Sequence, residues 1–227
     1  MAIAKRYATA KHLVFDYLVI AGGLCPPKSY IRKILPYAQN LITVDRGIEA
    51  LQGLKISPTL HIGDNDSTKE TIIKKISPKA RITLPQKKSV SDLEYTLQEL
   101  PKNSLKLVIG AHRDHEGRPD HALVNLTLAQ KYPQIFFADE DMWITSLVDK
   151  KTFAFSVPTG SVFSILDFKK RAVSIQGSHY DLKNKVFASP SMGLSNMTKK
   201  KWVKIRAHCS ALIFVKASLF KSAIQIK

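Results

Sequence analysis

The fold is decided by residues 40–66, NLITVDRGIEALQGLKISPTLHIGDND, in which two short apolar runs flank a helical segment. The first run stops at Asp45 and the second stops at Gly63. Short apolar runs that alternate with helical patterns are typical of stacked strand–helix units with a mostly parallel sheet. The stretch therefore predicts an α/β sheet whose strands end in polar turns.

The same alternation continues on both sides of this stretch, and it extends the prediction to the first 140 residues. Further strands are predicted over residues 13–21, 105–109 and 134–138, and helices over residues 29–35, 48–53 and 121–130.

After about residue 140 the pattern changes to shorter strands of alternating polarity, separated by turn residues. Such strands are predicted over residues 152–155, 162–166, 172–177, 202–205 and 211–215. We therefore predict two domains. An α/β domain spans residues 1–140, and an all-β, sandwich-like domain follows over residues 141–227.

Composition limits the class of protein. With 227 residues, 44% of them hydrophobic, the chain can bury a core. No run approaches about 18 apolar residues, so we expect no membrane segment and a cytoplasmic location. Cys25 and Cys209 lack C-x-x-C spacing, which favours two reduced thiols over a disulfide or a zinc site.

The formal net charge of +17 is concentrated after residue 140 and suits an anionic partner. Nucleic acid and a polyphosphate substrate are both compatible with it. The lysines are scattered, without the aromatic spacing of an RNA-stacking sheet. We therefore expect a solvated basic face and no nucleic-acid partner, and keep a basic RNA-binding protein as the alternative.

The acidic residues at the predicted strand ends indicate a metal and phosphate site. Asp64 and Asp66 lie on a strand-to-helix turn, where both can face one Mg²⁺ ion, and Asp45 ends a neighbouring strand. Ser67 and Glu70 have capping-box spacing, which predicts a helix that begins directly after the acidic pair. Phosphate oxygens would bind at the start of that helix.

Two further helix starts carry candidate residues. Ser91 and Glu94 repeat the capping-box spacing and make Asp92 a possible third metal ligand, although capping alone also favours Asp there. Arg118 is a possible bidentate phosphate donor beside Asp120, whose carboxylate could equally be a helix cap. His121 and Asn125 are one helical turn apart and share a face.

Rival motifs fit less well. A calcium loop that begins at Asp64 would need Gly and Glu where the chain has Lys69 and Lys75, so an EF-hand is excluded. The D-x-D-x-T pattern of some phosphatases, with a nucleophilic first Asp, matches residues 64–68. Its usual downstream partner motif is missing, and a phosphohydrolase stays an alternative.

Taken in order, these segments resemble the thiamine pyrophosphokinase family over nearly the whole chain, with only about the first dozen residues outside the match. Asn65 stands where the family has Phe, Ser89 replaces an Asp, and the loop after Ala111 is longer than the family's. The matching segments are Asp45-Arg46-Gly47, Gly63-Asp64-Asn65-Asp66-Ser67, Lys88-Ser89-Val90-Ser91-Asp92, Gly117-Arg118-Pro119-Asp120-His121 with Asn125, Gly177 to Leu182, and Leu194-Ser195-Asn196.

The resemblance implies transfer of the diphosphoryl group of ATP to the thiamine hydroxyl, with release of AMP, by a homodimer whose active site lies between subunits. It implies Asp64, Asp66 and Asp92 as Mg²⁺ ligands, Arg118 as a stabiliser of phosphate charge, and Asp120 as the residue that orients or deprotonates the hydroxyl. The implied ATP-binding and phosphate-binding residues are Asp45, Arg46, Gly47, Gly63, Ser67, Lys88, Arg118, His121 and Asn125. Asp120, Ser195 and Asn196 would contact thiamine.

Overall fold

The computed structural model describes residues 14–64, 66, 68–113, 118–132, 134–167, 169–208 and 210–226. Ser67, with its predicted phosphate-binding role, lies outside the described residues, as do Asn65, Gly117 and Cys209. The described chain forms two compact units, one from Val14 to Asp139 and the other from Glu140 onward.

The first unit is built on parallel strands: β1 (Phe15–Ile20), β2 (Ala38–Val44), β3 (Leu60–Gly63), β4 (Arg81–Thr83), β5 (Lys106–Ile109) and β6 (Ile135–Ala138). They pair in parallel in the order β6-β5-β1-β2-β3-β4. The direction of strand addition reverses at β1, and such a reversal opens a crevice at the carboxyl edge of a parallel sheet. The predicted α/β sheet is confirmed.

The α-helices in the described part of this unit are α1 (Lys28–Ile34), α2 (Glu70–Ile73), α3 (Asp92–Glu99) and α4 (Pro119–Lys131). α3 begins as predicted, because the Ser91 hydroxyl accepts a hydrogen bond from the Glu94 amide at 3.2 Å. A 3-10 helix, Asp45–Leu51, follows β2 in place of the predicted helix over residues 48–53. No helix among the described residues is both long enough and apolar enough to span a bilayer.

The predicted helix start at Ser67 is wrong. α2 begins later, at Glu70, runs for 4 residues, and receives no capping bond from the Lys69 side chain. So short a helix also adds little dipole to a phosphate site.

The second unit contains strands β7 (Trp143–Ser146), β8 (Thr152–Ser156), β9 (Val162–Leu166), β10 (Ala172–Gln176), β11 (Leu182–Val186), β12 (Asn196–Met197), β13 (Val203–Ala207), β14 (Leu212–Val215) and β15 (Ala223–Ile226). They pair antiparallel in the orders β12-β9-β14-β7 and β11-β10-β13-β8-β15. Phe155 packs edge-on against Trp143 and Phe163, with ring centroids 5.7 and 5.5 Å apart. The predicted all-β character is confirmed, with an aromatic core between the two groups of strands.

Lys106, at the start of β5, is a buried lysine at the opposite edge of the sheet from the crevice. Its ammonium donates to the carbonyl oxygens of Pro101 and Ser104, each at 3.0 Å, and the residue is 1% exposed. Burial lowers the pKa of Lys106 to about 8, although Asp16 acts in the opposite direction.

We expect the wild-type protein to gain stability relative to a Lys106→Met variant as the pH rises from 8 to 10. Unfolding lets Lys106 bind a proton that the folded protein has released, because the pKa of lysine in an unfolded chain is about 10.4. The free energy of unfolding therefore rises with pH in this window, by about 2 kcal/mol from this group. Urea denaturation of both proteins across the window measures the difference. A difference that stays constant with pH would contradict the expectation.

Candidate active site

A cavity of about 310 Å³ opens at the carboxyl edge of the parallel sheet. Its walls are formed by the residues that follow β1, β2 and β5 and by the first turns of α3 and α4. The cavity therefore occupies the crevice at which the strand order reverses. The charged residues that line it are Asp45, Asp92, Arg46, Arg113 and Arg118.

Three carboxylates, Asp45, Asp64 and Asp92, converge at this edge and form what we call the carboxylate cluster. One oxygen atom of each lies within 4.8 Å of the others. The three residues follow β2, follow β3 and open α3, respectively, so three elements supply them. Asp45 Oδ1 and Asp92 Oδ1 are buried, with no hydrogen-bond partner in the described part of the chain. An all-oxygen set with unpartnered acceptors fits a hard divalent cation such as Mg²⁺.

Gly63 makes room for the carboxylate cluster. A Cβ atom at Gly63 would lie 2.1 Å from Asp45 Oδ1, so a larger residue would have to move that carboxylate. Asp45 itself has a φ of 46°, a left-handed conformation that residues other than glycine seldom adopt. The glycine of the Gly63-Asp64 pair therefore has a packing role next to the cluster.

Lys88 neutralises part of the charge of the cluster. Its Nζ lies 2.7 Å from Asp64 Oδ2 and 3.1 Å from Asp92 Oδ2. Burial alone would lower the pKa of Lys88, but hydrogen bonds to Asp64 and Asp92 hold it above its ordinary value. Burial likewise acts to raise the pKa of Asp64, but the hydrogen bonds from Lys88 and from the Asp66 amide outweigh it, and the pKa is lowered.

Asp45 has the opposite electrostatic environment. Its pKa is raised to about 8, first by burial and then by the neighbouring carboxylates of Asp92 and Asp64. Lys88 acts to lower this pKa but does not cancel the other effects. A divalent cation beside Asp45 would relieve this repulsion.

Asp66 lies outside the carboxylate cluster. The residue is exposed, and its backbone amide donates to Asp64 Oδ1 at 3.3 Å. The sequence predicted Asp64, Asp66 and Asp92 as the metal ligands, whereas the structure groups Asp45 with Asp64 and Asp92. Metal binding by Asp66 stays a prediction, and Asp45, predicted for phosphate binding, joins the candidate ligands.

Arg118 and Asp120 form an exposed bidentate ion pair at the start of α4. Arg118 Nε lies 3.0 Å from Asp120 Oδ1, and Arg118 Nη2 lies 2.7 Å from Asp120 Oδ2. The hydrogen bonds from Arg118 lower the pKa of Asp120 to about 2. A carboxylate with so low a pKa is a weak base, and Asp120 is not among the described residues that line the cavity. The geometry therefore favours Arg118, and not Asp120, as the residue that faces a ligand.

His121 and Asn125 lie one helical turn apart on α4, and both line the cavity. Asn125 Nδ2 donates to the carbonyl oxygen of Ala111 at 2.9 Å. This bond ties α4 to the segment after β5.

Arg46 and Gly47 lie in the 3-10 helix after β2. Arg46 lines the cavity, whereas Gly47 is buried against the end of β1, where a Cβ atom would lie 2.0 Å from the carbonyl oxygen of Ile20. Close packing against β1 is therefore enough to explain why position 47 is a glycine, without any contact to phosphate.

Arg113 also lines the cavity and was not predicted as a site residue. The available signal was its position shortly after Gly110, at the end of a predicted parallel strand. Residues at that edge are candidates for ligand contact whatever their motif.

Ser195 and Asn196, predicted to contact thiamine, lie in the second unit. Asn196 is 7% exposed, and its amide is saturated. Its Nδ2 donates to Ser178 Oγ and the Tyr180 carbonyl oxygen, and its Oδ1 accepts from the Tyr180 and Met197 amides. These bonds give Asn196 a structural role. Ser195 is exposed, with a φ of 58°, and its contact with thiamine stays a prediction.

The fold and the site together define a class of protein: an α/β protein with a cluster of carboxylates and several arginines at the carboxyl edge of its parallel sheet. Residues 31–138 match the family model of the thiamin pyrophosphokinase catalytic domain. This segment of the chain is therefore similar to the catalytic domain of a family of enzymes. The family resemblance inferred from the motifs is confirmed.

Solved structures of this fold span most of the chain. Yeast thiamin pyrophosphokinase is 14% identical with a TM-score of 0.72, and the match covers 95% of this chain and 90% of that chain. Thiamine pyrophosphokinase from Bacillus subtilis is 22% identical with a TM-score of 0.69, covering 89% and 98%. A thiamin pyrophosphokinase family protein from Enterococcus faecalis is 20% identical with a TM-score of 0.71, covering 89% and 99%. No curated protein sequence matches the chain significantly.

Proposed function

We propose that this chain is a thiamine pyrophosphokinase that transfers the diphosphoryl group of ATP to the thiamine hydroxyl and releases AMP. The observation that carries the proposal is the carboxylate cluster at a cavity that also presents Arg46 and Arg118. Guanidinium groups bind phosphate oxygens, and clustered carboxylates hold the cation that accompanies a nucleoside triphosphate. The family match over residues 31–138 supports thiamine as the acceptor.

The cation we propose is Mg²⁺, which Asp45, Asp64 and Asp92 would hold. When bound, it would supply Lewis-acid stabilisation of the phosphate oxygens. Lys88, which bridges Asp64 and Asp92, adds a second positive charge at the same place. The phosphate-binding role predicted for Lys88 stays a proposal, and this position beside the carboxylate cluster supports it.

In the proposed reaction the thiamine oxygen forms a bond to the β-phosphorus of ATP. The bond from that phosphorus to the oxygen of the α-phosphate breaks, so the oxygen and its electron pair leave with AMP. Arg118 stabilises the phosphate charge from the wall of the cavity. The thiamine hydroxyl also loses its proton, which we assign to water as the acceptor, because the ion pair with Arg118 makes Asp120 a poor base.

Incubation of the protein with ATP, thiamine and Mg²⁺ is expected to give AMP and thiamine diphosphate in equal amounts, measured by chromatography. Omission of thiamine or of Mg²⁺ should stop both products. Folded protein that forms no AMP under these conditions would contradict the proposal. RNA binding that is salt-sensitive and unchanged by Asp64→Asn would favour the RNA-binding alternative. Phosphate release from small esters without thiamine would favour a phosphohydrolase.

The homodimeric state and the cytoplasmic location that we expect from the sequence remain proposals. Light scattering of the purified protein measures the first, and microscopy of a tagged chain measures the second.

A further inference from the structure

A second polar cluster lies at the carboxyl edge of the sheet, and we call it the Asp139 cluster. Asp139 directly follows β6 and is 7% exposed. Its Oδ2 accepts a hydrogen bond from His112 Nε2 at 3.1 Å and lies 2.7 Å from Arg113 Nη2. The His112 side chain is 6% exposed, whereas the Arg113 side chain is 51% exposed. Of these three side chains, Arg113 is therefore the one that a ligand can reach.

The backbone of Arg113 is also held in place, by contacts with the segment after β1. Its carbonyl oxygen accepts a hydrogen bond from the Leu24 amide at 2.8 Å. A Cβ atom at Gly23 would lie 2.5 Å from the same oxygen, so this close approach requires glycine there. The segment after β1 therefore holds the backbone of Arg113, and Asp139 holds its guanidinium. A side chain that is already ordered loses little entropy when it binds a ligand.

Arg113 and the carboxylate cluster reach the cavity from opposite sides of β1. In the sheet order, β5 and β6 lie on one side of β1, and β2 and β3 lie on the other. Neighbouring strands are about 4.8 Å apart, so two strand intervals, roughly 10 Å, separate β5 from β2. A cation held by the carboxylate cluster and the guanidinium of Arg113 would therefore contact different parts of one ligand.

We propose that Arg113 binds a phosphate group of the nucleotide from the β5 side of the cavity, and that Asp139 and His112 position its guanidinium. The identity of the nucleotide as ATP rests on the proposed function. A guanidinium donates paired hydrogen bonds to phosphate oxygens. Thiamine carries a positive charge on its thiazolium ring, which Arg113 would repel. Of the two substrates, the anionic nucleotide is therefore the one whose charge suits the part of the cavity that Arg113 lines.

The experiment is calorimetric titration of MgATP into the protein without thiamine, together with steady-state kinetics. We expect Arg113→Ala to weaken MgATP binding about tenfold, the effect of losing a charge-assisted hydrogen bond. The KM for ATP should rise by a similar factor, while kcat changes less than about threefold and the KM for thiamine is unchanged. Arg113→Lys should recover part of the affinity, because it keeps the charge but not the planar fork.

A positioning role for Asp139 gives a separate expectation. Asp139→Asn removes the charge that orients Arg113 but leaves the guanidinium in place. We expect it to raise the KM for ATP by about threefold, less than Arg113→Ala, with kcat and the KM for thiamine unchanged. Wild-type kinetics in this variant would overturn the assignment of Asp139.

Arg32→Ala is the matched control, because it removes the same charge from an exposed position on α1 outside the cavity. It should leave MgATP affinity unchanged. Adenosine, which has no phosphate, should bind equally to the wild type and to Arg113→Ala. The proposal would be overturned if the wild type and Arg113→Ala bound MgATP equally well. It would also be overturned if Arg113→Ala lost adenosine binding to the same extent as MgATP binding. If the wild type binds MgATP in an Arg113-dependent way but makes no AMP, the proposed reaction fails and the role of Arg113 stands.

Discussion

Replacing Asp92 by asparagine is expected to lower kcat for AMP formation by a factor of roughly 100 to 1,000, as for other groups that stabilise charge in the transition state. Asparagine is nearly isosteric, and the Ser91 hydroxyl caps α3, so the fold should persist. We expect the substitution to affect activity and not stability, because Asp92 Oδ1 is a buried acceptor without a partner in the described chain. An amide would present weaker ligand oxygen there and no negative charge.

Rates of AMP formation at saturating ATP and thiamine measure the effect over a range of Mg²⁺ concentrations. Glu70→Gln is a suitable control, because Glu70 is exposed and its ion pair with Lys74 is worth little. Asp66→Asn separates the two ligand assignments. From its exposed position we expect a loss of less than about tenfold, and a loss equal to that of Asp92→Asn would support Asp66 as a ligand instead.

Gly47→Ala is expected to destabilise the protein by about 3 kcal/mol, at the upper end of the range for overpacked cores. The added Cβ atom would lie 2.0 Å from the carbonyl oxygen of Ile20 and 2.7 Å from its carbon. Both atoms belong to the backbone of the central strand β1, which cannot move aside as a flexible side chain can. The strand or the turn after β2 must therefore shift.

Urea denaturation at neutral pH measures this loss. Gly22→Ala is the matched control, because a Cβ atom at Gly22 meets nothing closer than 3.5 Å. Its free energy of unfolding should lie within about 1 kcal/mol of the wild type, the usual difference between glycine and alanine. Equal losses in the two variants would show that the close approach of Gly47 to β1 is not the cause.

The parallel strands could be predicted because buried strands are continuous apolar runs, and the residues after them share one edge of the sheet. That reasoning located Asp45, Asp64 and Asp92 correctly at strand ends or helix starts. It could not choose between Asp45 and Asp66 as the third member of the carboxylate cluster. Residues two positions apart, as Asp64 and Asp66 are, share a face while a strand continues. β3 ends at Gly63, however, so this alternation does not apply to them.

Other misses have equally local causes. The left-handed φ of Asp45 cannot be inferred from its residue type, because aspartate adopts that conformation only occasionally. β11, with the sequence LKNKV, is largely exposed and has little hydrophobic pattern to detect. Arg113 follows a strand but belongs to no motif, and its partner Asp139 is distant in sequence.

Lys88 gives the protein a resident counter-ion for its acidic site. Its ammonium bridges Asp64 and Asp92, and each of the three side chains is at most 14% exposed. In small metallodomains the ligands assemble only when the metal binds, and metal affinity becomes folding energy. Here the ammonium of Lys88, which is part of the chain itself, links Asp64 after β3 to Asp92 at the start of α3. We therefore expect assembly of this domain to depend less on divalent ions than assembly of those metallodomains does.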